Sequence, residues 1–126
     1  MNCEKQNLPR LNLLVLRARD ADALATFYSA LGLRFVRHRH GTGPEHHAAE
    51  GPGSVFEIYP ANADGATQAV RIGFAVEDVR VAVERAQAAG GTIVSPPVDS
   101  PWVLRAVVSD LEGHRMELTQ VHGPTP

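Results

Sequence analysis

Four of the six histidines fall within ten positions of one stretch, RHRHGTGPEHHAAE (residues 37–50): His38, His40, His46 and His47. Imidazole is the commonest metal-binding side chain and titrates near neutral pH, so such a cluster could hold a metal or relay protons. The outcome depends on how the chain aims the rings. His38 and His40 are two apart and share a face if the segment is a strand, whereas the adjacent His46 and His47 point to opposite faces. If GTGP is a hairpin turn, His40 and His46 approach each other. The alternative is a solvated hairpin crowded with Arg37 and Arg39, and for metal binding this is the reading we take.

The elements that aim these residues follow from hydrophobic periodicity. Leu11 to Arg17 is an apolar, strand-like run. Asp20 reads as a helix N-cap, because a short acceptor side chain there takes up free backbone donors. Leu24, Phe27, Tyr28 and Leu31 then recur at helical spacing, and Gly32 is a stop signal. Tyr28 is expected in the core with its hydroxyl at the surface. Leu33–His40, Glu45–Glu50 and VFEIYP (residues 55–60) read as three strands. The order then begins again after a small-residue linker, 62–69. Val70–Val76 alternates like a strand, Asp78 stands where Asp20 stood, and a second helix ends at Gly90 and Gly91. Thr92–Val94 is a short strand, SPPVDSP (residues 95–101) reads as loop, and two strands flank the turn DLEG (residues 110–113).

The recurrence can be counted. Asp20 and Asp78 are 58 residues apart, as are Gly32 and Gly90, and Glu57 and Glu117 are 60 apart. The fold class expected is therefore α+β: paired βαβββ modules whose curved mixed sheets bury one face on helices and leave the other to line a shared cup. Module one covers 11–61 and module two 70–121, with tails at 1–10 and 122–126.

Composition narrows the functions. A chain of 126 residues suits one compact domain. A net charge of −2 gives no electrostatic case for nucleic acid or an anionic membrane. Eleven of the twelve basic residues are arginine, Lys5 being the exception. Arginine suits planar anions, although codon bias explains the count equally well. Cys3 is the single cysteine, which rules out an internal disulfide and fits a cytoplasmic setting. No apolar run approaches the roughly 20 residues of a membrane span, and MNCEKQNLPR has no apolar leader core.

The stretches RDADALATFYSALGLRF, VFEIYP, VRIGFAVEDV and VSDLEGHRMELTQ, in this order across Leu11 to Gln120, resemble the vicinal oxygen chelate superfamily, the glyoxalase/bleomycin-resistance/extradiol-dioxygenase group. The resemblance implies a homodimer, a small-molecule partner, and either lyase, isomerase or dioxygenase activity or drug binding. It also implies four metal-ligand positions, on the first and fourth strands of each module and commonly His, Glu, His and Glu. Those positions here are Leu13, Glu57, Arg71 and Glu117. Leu13 has no lone pair to offer, and Arg71 stays protonated and repels a cation. Two carboxylates alone suit hard, weakly held ions. No cofactor is therefore expected, and a divalent metal, if held, would sit on Glu57 and Glu117.

By strand alternation the cup receives Arg17, Glu57, Tyr59, Arg71, Arg115 and Glu117. Arg71 is poised to fork onto an anion, or else to pair with Glu57 or Glu117. Glu57 and Glu117 are the candidate catalytic bases. His46 and Trp102 are further ligand-binding candidates, although Trp102 also fits a dimer seam or core filling. His114 is read as structural. The function expected is binding of a small anionic molecule. The alternative is a metal-dependent lyase, isomerase or dioxygenase using Glu57, Glu117 and a shifted histidine such as His46.

Overall fold

The computed structural model describes residues 7–122. Cys3 and Lys5 lie outside the described residues. The chain runs β1 (Leu13–Ala18), α1 (Ala21–Ser29), β2 (Phe35–His38), β3 (His46–Gly51) and β4 (Ser54–Pro60). It continues β5 (Arg71–Ala75), α2 (Val79–Ala88), β6 (Thr92–Asp99), β7 (Val103–Ser109) and β8 (Arg115–Val121). These form two separate four-stranded mixed sheets, ordered β1-β4-β3-β2 and β5-β8-β7-β6. In each sheet the first strand pairs parallel to the fourth, and the remaining pairs are antiparallel. No helix among the described residues is long and apolar enough to cross a membrane.

Local chemistry explains where the elements begin and end. Asp20 Oδ1 accepts from the Ala23 backbone N–H at 3.0 Å, and Asp78 Oδ1 from Val81 at 3.1 Å. Each cap satisfies a donor that the first helical turn leaves unpaired. Helix α2 closes with a paired backbone motif: Gly91 N–H bonds to Ala86 O and Gly90 N–H to Gln87 O. That geometry requires the left-handed conformation that Gly90 adopts (φ 106°). Helix α1 ends at Ser29, three residues before Gly32.

One apolar core serves both modules. Leu16, Ile58, Phe27 and Tyr28 from the first pack in one cluster with Val79, Ala86, Met116 and Leu118 from the second. Gly91 lies against the Phe27 ring so closely that a Cβ there would sit 3.0 Å from Phe27 Cε1 and Ser109 O. Two polar ties also cross the seam. Glu112, in the β7–β8 turn, accepts from the Arg19 and Asp20 backbone N–H groups at 3.0 and 3.2 Å. The Tyr28 hydroxyl donates to Asp110 Oδ2 at 2.6 Å in the buried interior.

Tyr28 thus corrects the sequence reading, which put its hydroxyl at the surface. A phenol can be buried whole when an acceptor waits for it, and Asp110 is that acceptor. Burial, and then the Asp110 charge, push the phenol above its ordinary range. SPPVDSP is a second correction, because β6 continues through both prolines to Asp99 with two register irregularities against β7. Proline lacks the N–H that a central strand needs. β6 is an edge strand, so the missing donors fall on its unpaired side or at the irregularities.

Candidate functional site

Burial alternation in the first and fourth strands of each sheet assigns their residues to faces. Leu14, Leu16, Ala18, Phe56 and Ile58 of sheet one face the helices. Leu13, Val15, Arg17, Val55, Glu57 and Tyr59 take the opposite, cup-side face. In sheet two Ile72, Phe74, Met116 and Leu118 are packed into the core, which puts Arg71, Gly73, Arg115, Glu117 and Thr119 on the cup side. An apolar cleft of about 280 Å³ is lined by Leu11, Leu13, Val55, Phe56, Gly73 and Phe74, among others.

On sheet one the cup side carries an aromatic stack. Arg17 lies over the Tyr59 ring at 5.1 Å, within cation–π range. Tyr59 stacks on His46 at 4.1 Å between centroids and 7° between planes. His40 and His38 follow at 5.3 and 6.0 Å from His46. Three of the four clustered histidines therefore converge, and His46 is only 2% exposed. The solvated-hairpin reading fails for His46, because Tyr59 and His40 cover its two faces. His47 turns to the other side, where its Nε2 meets Asp22 at 2.7 Å. That bond, followed by the Arg37 charge, holds the Asp22 carboxyl below its usual range.

Glu57 stands opposite Ala48 in the β3–β4 register. The alanine leaves room above it, and His46 reaches across so that its Nε2 lies 3.5 Å from Glu57 Oε2. No hydrogen bond joins them, and His46 Nε2 is a buried atom without a partner.

Sheet two presents the second glutamate in different company. Arg105 Nε meets Glu117 Oε1 at 2.6 Å, and Arg71 Nε meets Oε2 at 3.0 Å. The bond from Arg105, then that from Arg71, draws the Glu117 carboxyl down to about 2. Both Glu117 oxygens are thus taken up by guanidiniums, which favour the ionised carboxylate. Arg105 is the site residue that the sequence reading missed. The signal was available: in VLRAVVS, Arg105 alternates with core residues and, like His46, lies two residues before the partner of a cup glutamate (Val107 opposite Glu117, Ala48 opposite Glu57). A fixed 58-residue offset hides this, because His46 and Arg105 are 59 apart.

The family's four metal positions can now be tested on donor chemistry. Leu13 offers no donor, and the Arg71 guanidinium occupies one oxygen of Glu117 while Arg105 occupies the other. A cation at that point would meet two fixed positive charges, so the residues present do not fit a metal there. Among the described residues no group of three or more His, Cys, Asp or Glu side chains gathers as a metal cage.

The remaining candidates are dispersed. Arg115 is exposed on the cup side at the start of β8. Trp102 is 78% exposed in the β6–β7 loop, so it does not fill the core. His114 is fully buried, and its Nδ1 accepts from the Val70 N–H at 3.1 Å, which anchors the linker's end to the β7–β8 turn. His122 Nε2 meets Asp99 Oδ1 at 2.7 Å at the sheet edge.

Comparison with known proteins agrees with this architecture. A glyoxalase-like domain family model matches residues 13–119. No curated protein matches the chain. Among solved structures, TnmS3, described as an antibiotic binding protein from Streptomyces sp. CB03234, superposes with a TM-score of 0.73 at 18% identity, covering 92% of this chain and 98% of its own. TioX from Micromonospora sp. ML1 gives 0.70 at 24%, covering 90% and 100%. A glyoxalase/bleomycin resistance protein/dioxygenase family enzyme from Burkholderia phytofirmans PsJN gives 0.71 at 20%, covering 90% and 100%. At these identities the structures speak for the fold. With the family model spanning most of its length and the paired βαβββ sheets in place, the chain belongs to the glyoxalase-like domain family.

Proposed function

We propose that this protein binds a small, planar, anionic molecule in its cup, without a resident metal at the family position. The observation that carries the reading is the pairing of Arg71 and Arg105 on one carboxylate. Two guanidiniums against Glu117 leave a net positive charge on the sheet-two wall. Each arginine donates to Glu117 through Nε alone, and both side chains are about half exposed. A guanidinium has five donors in a fork suited to carboxylate or phosphate, so an incoming anion finds donors already oriented. The sheet-one wall adds the Arg17 guanidinium, which lies 5.1 Å from the Tyr59 ring centroid. That a structural neighbour is described as an antibiotic binding protein favours a binding role for a cup of this shape.

The test compares benzoate with its neutral isostere benzamide by calorimetry and thermal shift. Benzoate should bind and benzamide should bind at least tenfold more weakly. The double variant Arg71→Gln/Arg105→Gln should lose the difference. Equal binding of the two probes, or a double variant that still prefers benzoate, overturns the reading.

A second reading is a metal-dependent lyase, isomerase or dioxygenase using Glu57, Glu117 and His46. The approach of His46 Nε2 to Glu57 favours it, and the double clamp on Glu117 opposes it. Elemental analysis of tag-free protein separates the two. One transition metal per chain, lost in Glu57→Ala, would replace the first reading with the second.

A further inference from the structure

The apolar cleft of about 280 Å³ takes its walls from both modules, with Leu11, Leu13 and Val55 from the first and Ile72, Gly73 and Phe74 from the second. Two of its lining rings, Phe56 and Phe74, come one from each module and stand 6.3 Å apart between centroids. Leu11 and Leu13 are exposed, so the cleft reaches solvent. Gly73 ties it to the arginine pair. It lies two residues from Arg71 on the same face of β5, a spacing of about 6.5 Å, and its register partner is Glu117. Gly73 also keeps the space open, because a Cβ there would meet nothing closer than Glu117 O at 4.0 Å. A cavity of about 150 Å³ holds a benzene ring, so this one has room for a ring or a short alkyl chain.

We propose that the cleft receives the apolar end of the anion bound in the cup, and that the natural ligand is an aromatic carboxylic acid carrying an alkyl or second aryl group. Arg71 and Arg105 hold the carboxylate, the ring passes Gly73, and the apolar group enters between Leu13, Val55 and Phe74. Ser54 is the one lining residue with a polar side chain, so a charged substituent at that end would lose water without gaining partners. The acid end of the ligand rests on the reading of the cup as an anion pocket. The apolar end stands on the cleft alone.

The experiment measures benzoate, 4-butylbenzoate and neutral 4-butylbenzamide by calorimetry. The native chain should bind 4-butylbenzoate about tenfold or more tighter than benzoate, because burying the butyl group removes apolar surface from water. It should bind 4-butylbenzamide more weakly than 4-butylbenzoate. Gly73→Leu fills the cleft from a backbone position without positive φ, and Leu13→Ser replaces an exposed apolar wall with a polar one. Each variant should cut the preference for 4-butylbenzoate over benzoate severalfold. Equal binding of these two acids by the native chain, or a preference that survives both substitutions, overturns the proposal. If the butyl group adds nothing while benzoate still binds better than benzamide, this proposal falls and the anion reading stands. If 4-butylbenzoate and 4-butylbenzamide bind alike and both exceed benzoate, the cleft is supported and the acid end is overturned. Sedimentation is run alongside. A native dimer that Gly73→Leu dissociates would mean that a second copy fills the cleft, which overturns the proposal.

Discussion

The two sheets share one plan and differ in what surrounds one residue. Glu57 and Glu117 occupy equivalent places on the fourth strand of each module, each facing the cup between a parallel and an antiparallel neighbour. On the neighbouring strand, His46 and Arg105 likewise correspond, each reaching toward its glutamate. On the parallel side Leu13 matches Arg71. With one imidazole at 3.5 Å, Glu57 keeps an open acceptor. With two guanidiniums at 2.6 and 3.0 Å, Glu117 is closed. A repeated scaffold therefore sets position, while the two flanking columns set chemistry. The same geometry yields an imidazole–carboxylate contact on one sheet and a carboxylate held by two guanidiniums on the other.

The comparison can be broken most severely at its foundation, the common core. Ile58 and Leu118 are equivalent, fully buried core residues of the fourth strands. Truncating either to alanine should cost about 2–5 kcal/mol. Because one cluster joins both modules, denaturant unfolding of either variant should remain a single transition. Two separated transitions would show that the modules fold apart.

A smaller effect is expected at the seam. Tyr28→Phe removes the bond to Asp110 and leaves a buried carboxylate oxygen with one donor fewer. Loss of a hydrogen bond to a charged group costs about 1.5–3 kcal/mol. Calorimetric melting should show a lower midpoint, and an unchanged midpoint would mean that packing alone couples the modules.

The smallest effect concerns pH and sharpens the contrast between the glutamates. Glu117 is held at about 2, below its unfolded value. A depressed carboxylate stabilises the fold above its unfolded pKa, and that contribution is lost as pH falls through the folded value. In Arg71→Gln/Arg105→Gln the carboxyl should titrate near the ordinary range in a ¹³C experiment. The loss of stability should be fullest near neutrality and should shrink as pH falls toward the folded value, and it should be small throughout because these groups are partly solvated. An unmoved Glu117 titration would mean that the clamp exists only in the static structure.

Much of the architecture was legible in the chain. Asp20 and Asp78 announced two helices because N-capping is a local interaction within three residues. The alternation of VRIGFA and RMELTQ separated core from cup because a strand's period of two is also local. The β6 edge was misread because two prolines argue against a strand only until its place in the sheet is known. The Tyr28 hydroxyl was misread because its acceptor, Asp110, lies 82 residues away in sequence.

The sequence by itself thus determined the repeat and the strand faces, for which short-range rules of capping and alternation suffice; the positions Leu13, Glu57, Arg71 and Glu117 were singled out by the resemblance to the family. Only the tertiary structure decided which of those groups pair. It brought Arg105 to Glu117 from a neighbouring strand, slid His46 over Ala48 to Glu57, and stacked Tyr59 on His46. Register between strands sets such contacts, and register follows from packing the whole sheet against its helix, which no local stretch of residues encodes.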